Sequence, residues 1–249
     1  MSAAKGKLAF NERLRGGVLV TDGSIQAELD RRGFVGEHAE IFNVKNPVII
    51  EDIQRQFLEA GAELLQTNTL RANRYALEDL NVADKVYEIN RKAVWITRTI
   101  ALHTAYVAGV VGPTGRLLQP IGSITLDDAH QAFVEQIVAL VDGGADVLML
   151  KSFIDIAELE CAVRAATYVR ADIPIIALKT FPEDGSVLAT SYPREIVERL
   201  TALNVSCIGS NGTVGPQRML SIVQSLGSPD IPLCALPDIG IPTITRGRP

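Results

Sequence analysis

Val205-Ser206-Cys207-Ile208-Gly209-Ser210-Asn211-Gly212-Thr213-Val214-Gly215-Pro216 reads as a strand that breaks into a loop of small residues and then opens a helix. The apolar run Val205–Gly209 is short and has no polar alternation, the pattern of a strand covered on both faces. Pro216 begins the amphipathic segment Pro216–Leu226. Proline suits a first helical turn because its ring presets φ and its missing N–H is not needed there. The same unit recurs along the chain. Further apolar runs lie at Gly17–Thr21, Ala62–Gln66, Tyr106–Val111, Ala145–Leu150, Ile173–Leu178 and Ile231–Leu236. Between them fall helical patterns at Pro47–Ala60, Asp127–Gly143, Ile156–Val169 and Pro193–Leu203. In Asp127–Gly143, Ala129, Phe133, Ile137 and Leu140 share one face, with Thr125 or Asp127 as the cap.

Repeated strand–helix units predict a parallel sheet. The expected fold is α/β, a (β/α)8 TIM-type barrel whose eighth strand is not visible in this chain. A doubly wound open sheet is the alternative, and no G-x-G-x-x-G follows the first apolar run to support it. Residues 1–249 are expected to form a single barrel domain, C-terminally incomplete or completed by a partner, because two open edges would otherwise remain.

Composition narrows the function. The chain has 249 residues, 47% of them hydrophobic, enough for one well-buried domain. Its 24 basic and 29 acidic residues are mixed along the sequence, with no basic stripe, so nucleic acid is not an expected partner. No apolar stretch approaches the about 20 residues of a membrane span, and the first residues lack the apolar core of a signal peptide. A cytoplasmic location is expected. Cys161, Cys207 and Cys234 are too widely spaced to read as a disulfide framework, and each is expected to be a packing residue. His38, His103 and His130 sit away from the strand ends.

Barrel chemistry gathers at the C-terminal ends of the strands. Those ends read Thr21-Asp22-Gly23, Gln66-Thr67-Asn68-Thr69, Gly112-Pro113-Thr114, Lys151-Ser152, Lys179-Thr180, Asn211-Gly212-Thr213 and Pro237-Asp238. Lys151 and Lys179 have two readings. They make a cationic mouth open to carbonyl or anion chemistry, or they are ion-paired with Asp22, Asp155 or Asp238.

Gly61–Asn73, with its Gln66-Thr67-Asn68-Thr69 core and Ala72-Asn73, resembles the second-strand motif of the homocysteine S-methyltransferase family. Glu88–Val94 resembles the helix that follows, Val107–Arg116 is similar to the family's third-strand motif, and Leu236–Pro242 resembles its Pro-Asn-Ala-Gly-Leu-Pro. The match runs from about Phe10 to Pro249. It is closest in texture to the N-terminal domains of methionine synthases and of fused homocysteine methyltransferase/methylenetetrahydrofolate reductases. The resemblance implies a barrel that methylates a thiol held on zinc, since coordination lowers the thiol pKa and supplies a thiolate.

Several functional positions depart from that pattern. The Asp that meets the substrate ammonium is kept as Asp22, but the Glu that shares this task is Lys151, and the Asn of Pro-Asn-Ala-Gly is Asp238. The zinc Cys is Gly212, which has no side chain to offer. The other two zinc thiolates of the family fall beyond the last residue of this chain. Zinc is therefore implied by the resemblance without ligands visible here, and the cofactor is unknown. The substrate pocket is expected to use Asp22, Thr67, Asn68, Lys151, Asn211 and Asp238.

The expected function is a diverged methyltransferase that moves a methyl group between a one-carbon carrier, folate or corrinoid, and a small acceptor. The alternative is a non-catalytic scaffold or subunit of a one-carbon enzyme complex. A lysine-dependent, aldolase-like activity ranks third. A small-molecule substrate, a reductase, folate or corrinoid protein partner, and an oligomer are the associations these readings admit.

Overall fold

The computed structural model describes residues 7–181, 192–212, 214–227 and 230–238. Among these, six strands form one parallel sheet: β1 (Leu64–Gln66), β2 (Tyr106–Val111), β3 (Val147–Phe153), β4 (Ile175–Lys179), β5 (Cys207–Asn211) and β6 (Leu233–Leu236). Each strand pairs with the next in sequence, so the order is β1-β2-β3-β4-β5-β6. This uninterrupted order curls into a half-barrel and removes the doubly wound alternative, whose sheet reverses direction at a switch point.

The first expected strand, Gly17–Thr21, is corrected to a single bridge. Thr21 pairs in parallel with Leu64, and the Val20 carbonyl accepts from Glu63 N at 2.8 Å. Gly17 has φ +127° and Val18 is 87% exposed, so the segment enters the sheet only at its last residues. The strands are otherwise placed as expected, except that β3 runs on through Lys151 and Ser152. Ser152 has φ +72°, and the register with β4 shifts between Leu150 and Phe153.

The principal helices are α1 (Phe10–Arg15), α2 (Ile25–Arg31), α3 (Phe42–Lys45), α4 (Pro47–Glu59), α5 (Arg74–Glu78), α6 (Val86–Ala101), α7 (Leu126–Asp142), α8 (Ile156–Val169), α9 (Tyr192–Thr201) and α10 (Pro216–Ser225). The cap of α7 is Thr125, whose side chain accepts from Asp128 N while Asp128 accepts from Thr125 N. This reciprocal box ends the loop from β2 and starts the helix in one step. The α8 cap is Asp155, which accepts from Ala157 N.

Strand pleating divides the core in two. Val107, Val111, Leu148, Leu150, Ile175, Ala177 and Ile208 face the helices and pack with Phe133, Ile137 and Leu140. Leu64, Ala108, Val110, Val147, Met149, Ile176, Leu178 and Cys207 face the inside of the curl. Gly209 lets β6 lie close, since a Cβ there would sit 1.9 Å from the Cys234 carbonyl oxygen.

Buried amides fix the loop after β1. Gln54 Nε2 donates to the Gln66 carbonyl at 2.9 Å and to Thr97 Oγ1 at 2.8 Å. Gln136 Nε2 donates to the Thr69 carbonyl at 2.8 Å, and Asn90 Nδ2 to that of Ala72 at 2.8 Å. A buried carbonyl left without a donor is costly, so these three helices hold residues 66–72 in place.

Candidate functional site

The end of β1 begins the site. Gln66 shares the inward face with Leu64, and its side chain bridges two charges. Its Nε2 donates to Asp22 Oδ1 at 2.8 Å, and its Oε1 accepts from Lys151 Nζ. The Gln66 backbone N–H donates to Asp22 Oδ2 at 2.8 Å. An amide offers a donor at one end and an acceptor at the other, so the carboxylate and the ammonium dictate its orientation. The expected ion pair of Lys151 is thereby corrected: Lys151 reaches Asp22 through Gln66. Burial drives the Asp22 pKa up to about 6 against the opposing pull of the Gln66 donors and Lys151. Burial likewise lowers the Lys151 pKa, opposed by the charge of Asp22 and by Cys234.

A cavity of about 440 Å³ opens above this group, at the C-terminal ends of β1 and β3. Thr67, Asn68 and Lys151 line it, together with Gln26, Asp30 and Glu40. Asn68 is held by donating from Nδ2 to the Ala39 carbonyl at 2.6 Å and to Asn43 Oδ1 at 3.0 Å. Thr67 Oγ1 accepts from Val110 N at 2.9 Å. Both side chains tie the loop together as well as bordering the cavity.

Asp22, Asn211 and Asp238 do not line the cavity. Asp22 lies beneath it, behind Gln66. Asn211 clasps the bulge in β3, accepting from Ser152 N at 2.8 Å and donating to Ser152 Oγ at 3.0 Å. Asp238 is exposed, and its backbone N–H donates to the Val214 carbonyl at 2.9 Å. The expected set of six is therefore split, with three residues on the cavity, one under it and two at the far strands.

Lys179 is also corrected. It follows Ile175 and Ala177 on the helix-facing side of β4, is 2% exposed, and donates from Nζ to the Thr180 carbonyl at 2.6 Å. Its ammonium lies 5.0 Å from the Phe181 ring and 6.0 Å from that of Tyr192. Burial lowers its pKa to about 8, with Asp155 opposing. The two lysines do not form one cationic mouth.

The zinc implied by the resemblance finds no fit among the described residues. Gly212 has no donor, and no group of three His, Cys, Asp or Glu side chains is placed to hold a metal. Cys161 donates to the Leu126 carbonyl at 3.4 Å, and burial raises its pKa to about 11. Cys207 and Cys234 share one hydrogen-bonded contact inside the curl, which raises the first thiol and lowers the second.

Gln66, Gln26 and Glu40 border the cavity but lie outside the six expected pocket residues. Gln66 was legible as the last polar residue of an inward-facing strand position. Gln26 and Glu40 lie before the first well-formed strand, where no repeat marks them.

The family model for homocysteine S-methyltransferases matches residues 19–248. This chain belongs to the homocysteine S-methyltransferase family. Its similarity extends to methionine synthase of Mycobacterium leprae (strain TN), 31% identical over 94% of this chain and 21% of that protein. Methionine synthase of Mycobacterium tuberculosis (strain ATCC 25618 / H37Rv) is 32% identical over 91% of this chain and 20% of its own length. The chain thus spans about a fifth of these relatives. Among solved structures, the metallated form of the homocysteine methyltransferase MmuM from Escherichia coli superposes with a TM-score of 0.76 at 21% identity, covering 91% of this chain and 85% of that one. That likeness supports a shared fold. Within the homocysteine S-methyltransferase family, this member carries a lysine and a glycine where the resemblance places a substrate-binding glutamate and a zinc cysteine. Among its described residues no helix is long and apolar enough to cross a membrane.

Proposed function

We propose that this chain is the acceptor-binding barrel of a methyltransferase, moving a methyl group between a one-carbon carrier, folate or corrinoid, and a small acceptor such as homocysteine. The observation that carries this reading is the cavity at the C-terminal ends of β1 and β3, with Thr67, Asn68 and Lys151 on its wall. A family barrel places its acceptor at that face. Lys151 orients the acceptor by charge, and Gln66 holds Lys151 in place. In the transfer, the acceptor sulfur gives up its proton and attacks the methyl carbon, and the carrier leaves with the bonding electron pair. Without a metal or a cationic partner, the thiolate fraction follows the ordinary thiol pKa of about 8.5.

We further infer a single eight-stranded barrel as the working unit, a cytoplasmic location, and a reductase, folate or corrinoid protein as partner. The length of the methionine synthase relatives supports an assembly with further domains or chains. Gly212 favours a second reading, a non-catalytic subunit of such an assembly.

Methyl transfer to homocysteine from methyltetrahydrofolate and from methylcobalamin, assayed with the chain in its native assembly, separates the two. Turnover that falls at least tenfold in Lys151→Met supports the enzyme. Homocysteine binding without turnover from either donor supports the subunit.

A further inference from the structure

We propose that Asn211 is a positioning residue for Lys151: its side-chain amide holds Ser152 in a left-handed backbone conformation, and the bulge so formed aims Lys151 at the cavity. The inference rests on the function proposed above for the part that Lys151 plays there.

The register shows the bulge. On β3 three steps separate Leu150 from Phe153, while their partners on β4, Ala177 and Lys179, are two steps apart. One extra residue therefore sits in β3, and an extra residue of this kind bends a strand and redirects its side chains. In an unbroken strand alternate residues share a face, so Phe153 would follow Met149 and Lys151 to the inside of the curl. Instead Leu150 and Phe153 both belong to the helix-facing core, where Phe153 packs against Phe133 with ring centroids 5.9 Å apart. Lys151 and Ser152 are left together between them. Lys151 borders the cavity and donates from Nζ to Gln66 Oε1.

The bulge requires Ser152 to adopt φ +72°. A residue with a Cβ enters that region at a population penalty of about fivefold to thirtyfold. Asn211 offsets the penalty. Its Oδ1 accepts from Ser152 N at 2.8 Å, and its Nδ2 donates to Ser152 Oγ at 3.0 Å. A side-chain amide carries an acceptor and a donor side by side, so one residue grips both polar groups of the serine. The grip is itself anchored. Asn211 ends β5 in register with Leu236 of β6, and its carbonyl accepts from Thr180 Oγ1 at 3.1 Å. Asn211 does not line the cavity, and its amide is committed to Ser152. Strained backbone held by its neighbours concentrates at functional sites, and here the strained residue directly follows the charged one that β3 sends to the cavity.

The test reads Lys151 directly. Acetylation of the full chain by acetic anhydride from about pH 7 to pH 11, spanning the ordinary lysine range, followed by mass spectrometry, gives a titration midpoint for Lys151. In wild type, burial holds that midpoint below the ordinary lysine value against the pull of Asp22. In Asn211→Ala it moves up toward the ordinary value, because the ammonium leaves its buried place. Ser152→Gly alone leaves it unmoved, since glycine takes a positive φ without strain. The decisive protein is Asn211→Ala/Ser152→Gly, in which the midpoint returns to that of wild type. Homocysteine turnover, read as kcat/KM, follows the same order. It falls about tenfold in Asn211→Ala, the penalty of the unsupported left-handed backbone, and is largely restored in the double variant. Should Asn211→Ala fail to fold, Ser152→Val carries the same expectation, because a β-branched residue resists that backbone while Asn211 is untouched.

A midpoint that stays put in Asn211→Ala, or in Ser152→Val where that variant replaces it, overturns the inference. So does a midpoint that moves in Asn211→Ala and is not recovered by adding Ser152→Gly, which would make Asn211 a general structural support. The methyl-transfer reading fails separately. If the midpoints follow the expected order while wild type never methylates homocysteine, the clasp stands and methyl transfer does not. If wild type methylates homocysteine while the midpoints do not move, methyl transfer stands and the clasp does not.

Discussion

Asp22 shows how one buried group can record its surroundings in the pH dependence of stability. Burial raises its pKa from 3.8 to about 6, so the folded chain keeps a proton that the unfolded chain releases earlier. Between about pH 4 and pH 6 the unfolded state binds fewer protons, and stability falls as pH rises. Above that window the loss is complete, roughly 3 kcal/mol at about 1.4 kcal/mol per unit. Asp22→Asn cannot titrate. Urea unfolding at intervals from pH 4 to pH 7.5 should show wild type losing stability relative to Asp22→Asn across this window. Parallel curves would show that Asp22 is not strained by burial.

Asp22 and Lys151 were readable as functional candidates because charged residues ending apolar strands stand out. Their link through Gln66 was not readable, because an amide bridge depends on the distance between two strands that are far apart in sequence. Glu40 escaped for a related reason. Its place on the cavity is set by accepting from Arg71 N, a contact across the fold that a sequence does not record.

At the level of the strand, pleating decides which of two similar lysines meets the cavity. Both end apolar runs, and the sequence alone places them alike. Lys151 continues the inward series of Val147 and Met149, whereas Lys179 continues the helix-facing series of Ile175 and Ala177. Lys179→Met is therefore expected to leave homocysteine binding within about twofold of wild type. It should also be as stable or more so near neutral pH, since a methionine removes a buried charge. A loss of binding like that of Lys151→Met, measured in the same titration, would place Lys179 at the site and return the lysine-based reading.

The strand ladder itself was legible, because apolar runs between amphipathic segments have few other folds open to them. The exception was Gly17–Thr21, whose apolar letters promised a strand that tertiary pairing reduces to one bridge. Gly209 gives a test of the ladder. A methyl group there would strike the backbone of β6, and overpacking of this kind costs about 1–3 kcal/mol. Thermal unfolding of Gly209→Ala should show a lowered midpoint, and an unchanged midpoint would mean that β6 does not press against β5 as described.

Across the molecule, the family fold persists while the charges at its mouth have changed. The parallel order β1 to β6 accompanies a family match over residues 19–248, and the cavity lies at the C-terminal ends of β1 and β3, the end at which barrel sites gather. Within that frame, Lys151 and Gly212 occupy positions where the resemblance expects a carboxylate and a zinc thiolate. On the proposed function, the ligand is held by charge at Lys151, which lines the cavity, and not by a metal.

Calorimetric titration of L-homocysteine into the wild-type chain and into Lys151→Met, each in the presence of a metal chelator, puts that site to the test. Saturable binding at one site per chain is expected, kept with the chelator and weakened at least tenfold in Lys151→Met. Binding abolished by the chelator, or equal in the two proteins, would rule out a charge-based, metal-free site.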